Sequence, residues 1–341
     1  MNTNSIMKFV KLNSGYMMPM LGLGTFLAPK DDCENAVYNA IKIGYRLIDT
    51  ASGYGNHKFV GAAIKRAIEE GIVKREDLFI TTKLWVTDWR PKDARRAIQT
   101  CLQELQLDYI DLYLIHNAVF LNLAPEDEER RQKGEFFDYN TIVADDPKLR
   151  IGYSIENLKT TWKTMEEFVR EGLCKSIGVS NFSGKKIRDL LSFCEIKPVV
   201  NQVELNPFLQ QWELKQTCEE NDIYLEAYFP LGGEANANAK DSTSLLRHPV
   251  ITKIAEAHNK TTAQVLIRWA VQRGTICIPK SIRESRIAEN FNIFDFELTS
   301  QELESIRALD RGERVCKRPY MVSAPMTWQD IWDGEYVNFS V

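Results

Sequence analysis

Four side chains in the first third or so of the chain could together transfer a proton: those of Asp49, Tyr54, Lys83 and His116. Asp49, Lys83 and His116 each follow a short apolar run, and Tyr54 lies in the loop after Asp49. A free tyrosine has a pKa of about 10 and is a poor acid near neutrality. A neighbouring ammonium group favours the phenolate and so eases release of the proton. A carboxylate, a phenol, an ammonium and an imidazole gathered in one place could therefore form a proton-transfer site.

The segments that must position these side chains alternate between strand-like and helix-like patterns. The predicted strands cover residues 21–24, 45–48, 77–82, 109–115, 175–180, 198–203, 223–228 and 275–279. The predicted helices cover residues 32–43, 56–70, 93–105, 155–171, 184–195, 212–221 and 261–273, and Arg286 lies in a last helix. Such alternation favours a parallel sheet, and continuous apolar runs suit strands that are covered on both faces. We predict an α/β fold, a (β/α)8 TIM barrel forming one domain over residues 1–341, with long loops at the C-terminal face, where such barrels build their active sites.

Length and composition agree with this fold and exclude several classes of protein. The chain has 341 residues, of which 44% are hydrophobic and 26% charged, and a formal net charge of -4. Without a basic excess, nucleic acid is not an expected partner. The seven cysteines are scattered and form no C-x-x-C pair, so we expect free thiols in a reducing compartment and no metal site. Neither a signal peptide nor an apolar stretch of about 18 residues is present, so we expect a cytoplasmic protein without a membrane partner.

Two segments interrupt the alternation of strands and helices: residues 117–152 and the C-terminal tail, residues 311–341. The first contains the charge run Glu126–Arg131, which we expect to be a solvated surface. Long loops in compact domains are often functional lids, and a lid is the alternative. We expect both segments to lie near a substrate pocket at the C-terminal face, with Trp328 and Trp332 placed to cover it.

Six short motifs occur in the order and spacing that the aldo-keto reductases show. They are Asp49–Asn56, Lys83–Trp85, Leu114–His116, Gly178–Phe182, Asn201–Glu204 and Ile278–Ser281. The chain resembles this family from about Leu12 to Asp310. It is similar to the aldose reductases, and the long segment after His116 is similar to that of yeast-type xylose reductases. Lys74–Phe79 and Pro230–Gly233 also resemble plant aldose-6-phosphate reductases.

The resemblance implies an NADPH-dependent oxidoreductase that reduces the carbonyl group of aldehydes or aldoses to alcohols. Hydride reaches the carbonyl carbon from the nicotinamide, a proton reaches the oxygen, and no metal is needed. Tyr54 is the implied proton donor, Lys83 the ammonium that assists it and Asp49 the carboxylate that holds Lys83. His116 orients the substrate carbonyl or shares in the proton relay. Each residue alone would more often be a cap, a packing residue or a surface group, so the joint pattern carries the prediction.

The resemblance also implies NADPH in the barrel mouth, with NADH as the second possibility, although no G-x-G-x-x-G follows a strand. The implied contacts to the carboxamide and the nicotinamide ring are Ser180, Asn181, Gln202 and, by stacking, Tyr228. Lys280 and Arg286 match residues that grip the 2′-phosphate, because such cations bind phosphate well. The other implied cofactor contacts are Gly24, Thr25, Asp49, Leu231, Ser281 and Ile282, together with Glu289 and Asn290 near the adenine.

The implied substrate pocket departs from the family pattern. Its residues are Phe26, Tyr54, Trp85, His116 and Asn117. Phe26 stands where aldose reductases often have Trp. Asn117 follows His116 where Trp-Pro or Phe-Pro is common, so that wall is more polar and could suit a hydroxylated sugar. Phe229 replaces a serine that often contacts the cofactor phosphate.

Several alternatives stay open at the level of the sequence. An aldose 6-phosphate is the nearest alternative substrate, with Lys317 or Arg318 as its candidate ligand. A non-catalytic NADPH-binding regulatory or structural protein is an alternative of another class, and the intact set of four residues argues against it. A metal-dependent barrel hydrolase is disfavoured because His and acidic residues do not cluster. We expect a monomer or a homodimer acting on a small molecule.

Overall fold

The computed structural model describes residues 7–133, 147–233, 244–316, 327–335 and 338–339. Within these ranges it contains fourteen strands, twelve α-helices and four short 3-10 helices. The strands are β1 Phe9–Lys11, β2 Met17–Pro19, β3 Gly22–Gly24, β4 Leu47–Asp49, β5 Phe79–Leu84, β6 Ile110–Ile115, β7 Phe120–Leu121, β8 Arg150–Gly152, β9 Cys174–Ser180, β10 Val200–Glu204, β11 Tyr224–Tyr228, β12 Ile276–Cys277, β13 Glu313–Arg314 and β14 Asn338–Phe339. The helices are α1 Lys30–Ile43, α2 His57–Glu69, α3 Pro91–Leu105, α4 Pro125–Gln132, α5 Ile155–Arg170, α6 Gly184–Leu191, α7 Trp212–Glu219, α8 Pro249–His258, α9 Thr262–Gln272, α10 Glu284–Phe291, α11 Ser300–Arg307 and α12 Trp328–Trp332.

Eight of these strands form one parallel sheet that closes on itself. The order is β12, β11, β10, β9, β6, β5, β4, β3. Parallel bridges from Leu21 to Cys277 and from Gly24 to Lys280 join the first strand to the last. Gly24 is needed at this seam, because a Cβ atom there would lie 2.8 Å from the backbone oxygen of Ile278. The predicted (β/α)8 barrel is therefore confirmed, and its C-terminal rim gathers the residues at the ends of β4, β5 and β6.

Side chains that alternate along the strands fill the inside of the barrel. The inner apolar cluster includes Leu47, Phe79, Leu112, Leu114, Val200, Ile276 and Ile278. The antiparallel pair β1–β2 precedes the barrel, and its neighbourhood contributes Leu12 and Met18 to this cluster. On β11, Tyr224 and Tyr228 pack against the inner cluster, whereas Leu225 and Ala227 belong to the outer core. Residue 226 therefore points into the barrel, since side chains alternate along a strand.

Local sequence signals explain most helix starts. At α9, Thr261 Oγ1 accepts from the Gln264 backbone N–H at 3.2 Å, and Gln264 Oε1 accepts from the Thr261 N–H at 2.9 Å. This capping box satisfies two donors at the helix start, and the prediction of a helix at 261–273 is confirmed. The helices α4, α8, α11 and α12 were not predicted. α11 has its own capping box at Thr299 and Glu302, a signal that the sequence did carry.

Helix α4 corrects the expectation that residues 126–131 form a solvated surface. Glu126, Glu129 and Arg130 are exposed, but Arg131 is buried. Arg131 Nη1 donates to Asp88 Oδ1 at 2.6 Å, and Arg131 Nη2 donates to Asp93 Oδ1 at 3.2 Å. The expectation is wrong for Arg131 because carboxylates from the loop after β5 and from α3 provide charge partners that the local sequence does not show. A charge run can therefore be assigned to solvent only when no other element of the fold offers charge partners to its residues.

The cysteines and the helices bear on two further expectations, free thiols and the absence of a membrane span. All seven cysteines are free, as predicted. Among the residues that the structure describes, no helix is both long enough and apolar enough to cross a membrane. The location of the protein in the cell and its oligomeric state stay predictions.

Candidate active site

Asp49 and Lys83 form a buried ion pair on the neighbouring strands β4 and β5. Lys83 Nζ donates to Asp49 Oδ1 at 2.8 Å, to Asp49 Oδ2 at 2.7 Å and to the backbone oxygen of Thr50 at 2.9 Å. Lys83 is fully buried, and the side chain of Asp49 is 2% exposed. Water does not screen this pair, so the ammonium and the carboxylate interact more strongly than they would at a surface. The ion pair therefore fixes the position of the Lys83 ammonium group at the rim, on the side that faces the barrel axis.

Tyr54 places its hydroxyl group beside this ammonium. Lys83 Nζ lies 3.2 Å from Tyr54 Oη and 4.9 Å from the centre of the ring. Tyr54 belongs to a short 3-10 turn, in which Ser52 Oγ donates to the backbone oxygen of Lys83 at 3.1 Å. Gly53 lets Trp85 pack directly on the turn, because a Cβ atom at Gly53 would lie 2.5 Å from the Trp85 ring. The turn is therefore held on both sides, and it keeps the phenol next to the positive charge.

Two aromatic side chains contact the phenol of Tyr54, and a third contacts one of them. His116 directly follows β6, and its ring centre lies 5.7 Å from that of Tyr54 and 5.0 Å from that of Trp85. The ring centre of Phe26 lies 5.0 Å from that of Tyr54. Asn117 follows His116 and is buried. The structure thus brings the rings of Phe26, Tyr54, Trp85 and His116 together, with the imidazole of His116 next to the phenol of Tyr54.

The residues predicted to bind the carboxamide and nicotinamide ring form a connected network. Asn181 Nδ2 donates to the backbone oxygen of His116 at 2.8 Å, and Tyr228 Oη donates to Asn181 Oδ1 at 2.8 Å. Ser180 Oγ donates to the backbone oxygen of Gln202 at 2.8 Å. Asn181 has a left-handed backbone with φ of 63°, which asparagine tolerates better than most residues. The network links these side chains to the backbone that carries His116.

Gln202 joins Asp49 to a second buried carboxyl group, that of Glu226, which was not predicted as a site residue. Gln202 Nε2 donates to Asp49 Oδ2 and to Glu226 Oε2, both at 2.8 Å. Burial and the charge on Asp49 raise the pKa of Glu226 to about 8. Burial also raises the pKa of Asp49, and the Lys83 ammonium opposes that rise. The only sequence signal for Glu226 was an acidic residue at an inward position of an apolar strand.

The predicted phosphate-binding residues lie at the seam of the barrel and at the start of α10. Lys280 is half-buried and bridges to Gly24, and Arg286 is exposed on α10. Neither side chain forms an ion pair with any residue in the described parts of the chain. Ser281 Oγ accepts from the backbone N–H of Arg283 at 3.2 Å, just before the helix begins. Two cations without acidic partners beside a helix start can accommodate a phosphate group.

The remaining predicted cofactor residues have partners within the protein or lie nearby. Thr25 Oγ1 donates to the backbone oxygen of Asp49 at 2.9 Å. Glu289 Oε1 accepts from Thr261 Oγ1 at 2.8 Å, and Asn290 is buried in α10. Leu231 and Ile282 are half-buried and pack against the outer core. Their contacts to a cofactor stay predictions.

Thr50 and Asn56, which were not predicted as site residues, support the loops of the site. Asn56 Nδ2 donates to the backbone oxygen of Thr25 at 3.0 Å, and Thr50 Oγ1 donates to Asn56 Oδ1 at 2.7 Å. Asn56 therefore ties the loop after β3 to the loop after β4. The neighbouring His57 is buried, which by itself would lower its pKa, but Cys101 and Glu104 raise that pKa to about 9. His57 Nδ1 lies 3.4 Å from Glu104 Oε2.

Trp332, one of the two tryptophans predicted to cover the pocket, can be located, and its place over the pocket stays a prediction. Trp332 is buried, and the Arg314 guanidinium lies 3.6 Å from the centre of its ring. Lys186 of α6 donates to the backbone oxygen of Ile331 at 2.7 Å, so α12 is attached to the helix that follows β9. The ring of Phe229 lies 6.4 Å from that of Phe26. Residues 134–146, Lys317 and Arg318, and the side chain of Trp328, lie outside the described residues.

The sequence of the whole chain identifies the protein family. The sequence model of the Aldo/keto reductase family matches residues 20–311, which is most of the chain. The chain belongs to the aldo/keto reductase family. The family resemblance read from the six motifs is thus confirmed.

Similar curated proteins cover nearly the whole of this aldo/keto reductase. It is 41% identical to the NADPH-dependent D-xylose reductase of Candida boidinii, over 93% of this chain and 95% of the relative. It is 39% identical to the NAD(P)H-dependent D-xylose reductase I,II of Candida tropicalis, over 97% and 99%. It is 40% identical to the NADPH-dependent aldose reductase of Saccharomyces cerevisiae, also over 97% and 99%. Within the described part of this aldo/keto reductase, no group of three or more His, Cys, Asp or Glu residues is arranged to hold a metal ion.

Proposed function

We propose that this aldo/keto reductase uses NADPH to reduce the carbonyl group of an aldehyde or an aldose to the alcohol. One observation carries the proposal: the buried Lys83 ammonium, held by both oxygens of Asp49, lies 3.2 Å from the hydroxyl of Tyr54. A phenol beside a positive charge releases its proton more easily than a free phenol does. This arrangement is what general acid catalysis at a carbonyl oxygen requires.

In the proposed reaction, the four residues each have one task. Tyr54 gives its proton to the carbonyl oxygen, and the Lys83 ammonium stabilises the phenolate that remains. Asp49 keeps Lys83 in place, since an ammonium at this depth needs a carboxylate partner. His116, next to Tyr54, donates a hydrogen bond to the carbonyl oxygen and so orients it. NADPH, when bound, supplies the hydride.

The side chains of the rim fit a nicotinamide cofactor with a 2′-phosphate. Gln202 donates both of its amide hydrogens to carboxyl groups, so Gln202 Oε1 is left to accept from a carboxamide N–H. Lys280 and Arg286, which have no acidic partner among the described residues, suit the extra phosphate of NADPH. NADH is the second candidate, and the Candida tropicalis relative carries the name of an NAD(P)H-dependent enzyme.

An aldose is the substrate that we favour among aldehydes. The three relatives carry the names of xylose and aldose reductases. The buried Asn117 gives the pocket wall beside His116 an amide that can bind sugar hydroxyl groups. An aldose 6-phosphate is the alternative substrate, and its candidate ligands Lys317 and Arg318 lie outside the described residues. A non-catalytic NADPH-binding protein is the alternative from another class.

The test of the proposed function is the initial rate of NADPH and NADH oxidation with xylose, glucose 6-phosphate and a small aromatic aldehyde. We expect NADPH-dependent turnover with xylose and with the aromatic aldehyde. A higher kcat/KM for glucose 6-phosphate than for xylose would favour the sugar phosphate. Binding of NADPH without turnover of any of the three would favour the non-catalytic alternative.

The role of Tyr54 is tested by the substitution Tyr54→Phe, which removes only the hydroxyl group. We expect kcat to fall by about 10²-fold or more, because the general acid is lost. Tyr38→Phe is the matched control, since Tyr38 of α1 donates its hydroxyl to Glu70, which directly follows α2. Near-normal turnover in Tyr54→Phe would remove Tyr54 from the mechanism.

A further inference from the structure

Glu226 is a buried acid that the proposed mechanism does not use. It lies in β11, faces the inside of the barrel and has an exposed fraction of 0%. Its Oε2 atom accepts from Gln202 Nε2 at 2.8 Å, and Asp49 Oδ2 accepts from the same nitrogen at 2.8 Å. An amide nitrogen has two hydrogens, so Gln202 gives one to each carboxyl group. Asp49 and Glu226 are therefore coupled through a single side chain.

The charges around Glu226 do not balance a second negative charge. The ionisable groups that act on it are Asp49 of β4 and Lys83 of β5, while β10 contributes the uncharged Gln202. Cys277 of the neighbouring β12 belongs to the outer core and does not face Glu226 inside the barrel. The Lys83 ammonium contacts both oxygens of Asp49. Glu226 itself forms no ion pair with any residue that the structure describes. Two buried carboxylates with one ammonium would leave one charge uncompensated, which is costly inside a protein.

The protonation state of Glu226 therefore sets the net charge of this cluster. Burial, together with the charge on Asp49, raises the pKa of Glu226 to about 8, so it is mostly protonated at neutral pH. In that state, Asp49, Lys83 and Glu226 together carry no net charge. When Glu226 loses its proton, the cluster carries one negative charge.

We propose that Glu226 is a positioning residue for the proposed reduction: through Gln202 it holds Asp49 against Lys83, and its charge, once ionised, makes Tyr54 a weaker acid. The inference rests on the proposed function, because it concerns the same proton donor. A negative charge in the barrel disfavours formation of the phenolate at Tyr54, and the low polarity of the surroundings strengthens that effect. Glu226 thereby links the proton-donating strength of Tyr54 to pH.

The decisive variant is Glu226→Gln, which keeps the shape of the side chain and cannot ionise. The measurement is kcat/KM against pH, from about pH 6 to about pH 10, in both directions of the reaction. Reduction needs protonated Tyr54, and oxidation of the alcohol needs ionised Tyr54. Without the charge of Glu226, Tyr54 should ionise more readily, so both profiles should move to lower pH by about one unit.

Glu226→Asp is the matched control, since it keeps an ionisable carboxyl group on the same strand, and its profiles should lie near those of the wild type. A loss of packing would lower kcat/KM at all pH values without moving either profile. Profiles of Glu226→Gln that coincide with the wild type in pH would therefore overturn the inference and leave Glu226 with a structural role alone.

A second measurement does not depend on turnover and separates this inference from the proposed function. The infrared absorption of a protonated buried carboxyl group should be present in the wild-type protein at neutral pH and disappear as the pH rises through about 8. It should shift in frequency in Glu226→Asp and be missing in Glu226→Gln. If no such band responds to these substitutions, Glu226 is ionised at neutral pH and the inference fails, whether or not the enzyme reduces aldehydes.

Discussion

At the scale of single residues, the candidate site depends on pairing groups that would be unfavourable alone. A buried ammonium at Lys83 is tolerated because Asp49 offers two oxygens to it. The orientation of the Gln202 amide is fixed, because its nitrogen donates to the carboxyl groups of both Asp49 and Glu226. The phenol of Tyr54 takes its position from these neighbours and from the turn that Trp85 packs upon.

Lys280 allows a prediction about cofactor choice. In Lys280→Met, we expect KM for NADPH to rise by about tenfold or more and KM for NADH to stay within about twofold, because only NADPH has the 2′-phosphate. The measurement is the KM of both cofactors at a saturating aldehyde concentration. Lys253→Met, an exposed lysine on α8, is the control. Equal effects on both cofactors would place the phosphate site elsewhere.

At the scale of elements, the segment after β6 is attached to the barrel by charge as well as by packing. Arg131 of α4 contacts Asp88 and Asp93, and Leu121 of β7 packs with Trp85 and Val86. Burial raises the pKa of Asp88 to about 6, although Arg131 opposes that rise. The arginine therefore keeps a buried carboxylate ionised at neutral pH, and it holds α4 against the loop after β5 and the start of α3.

The substitution Arg131→Met tests this attachment. It leaves Asp88 buried without its main cation, a change that typically costs about 3–5 kcal/mol. If α4 opens locally, its backbone amides should exchange with deuterium about 10²-fold faster, while those of α3 change little. Lys133→Met removes only an exposed pair with Glu129 and should change exchange by less than about fivefold. Equal exchange rates in both variants would mean that packing alone holds α4.

At the scale of the whole molecule, stability and chemistry lie at opposite ends of the barrel. Leu12 and Met18 join the inner apolar cluster from the N-terminal side, before the first barrel strand. Asp49, Lys83 and His116 lie at the other end, where β4, β5 and β6 finish. A TIM barrel commonly separates a stabilising face from a catalytic face in this way.

Met18→Ala should therefore destabilise the fold without changing the chemistry. Met18 is fully buried, so we expect the free energy of unfolding to fall by about 2–5 kcal/mol, with kcat within about twofold of the wild type. Met17, which is 52% exposed, provides the control, and Met17→Ala should change stability by less than about 0.5 kcal/mol. Urea unfolding and initial rates measure the two quantities. A large loss of kcat in folded Met18→Ala would contradict the separation of the two ends.

The sequence by itself determined the alternation of strands and helices, the closed barrel and the family. It also placed Asp49, Tyr54, Lys83 and His116 in the order that a shared rim requires. These features depend on short-range patterns: apolar runs set the strands, caps set the helices, and residues at the ends of parallel strands meet at one face.

Only the tertiary structure decided which polar and charged side chains, far apart in the sequence, contact one another. Gln202 meets Asp49 because the barrel brings β10 and β4 to a common interior, although 153 positions separate the two residues. Glu226 became part of the site for the same reason, and Arg131 turned from a surface charge into a buried one because Asp88 lies across from it. Such contacts arise when the sheet closes and the insertion packs on it, and the ionisation of buried groups depends on those neighbours rather than on local sequence.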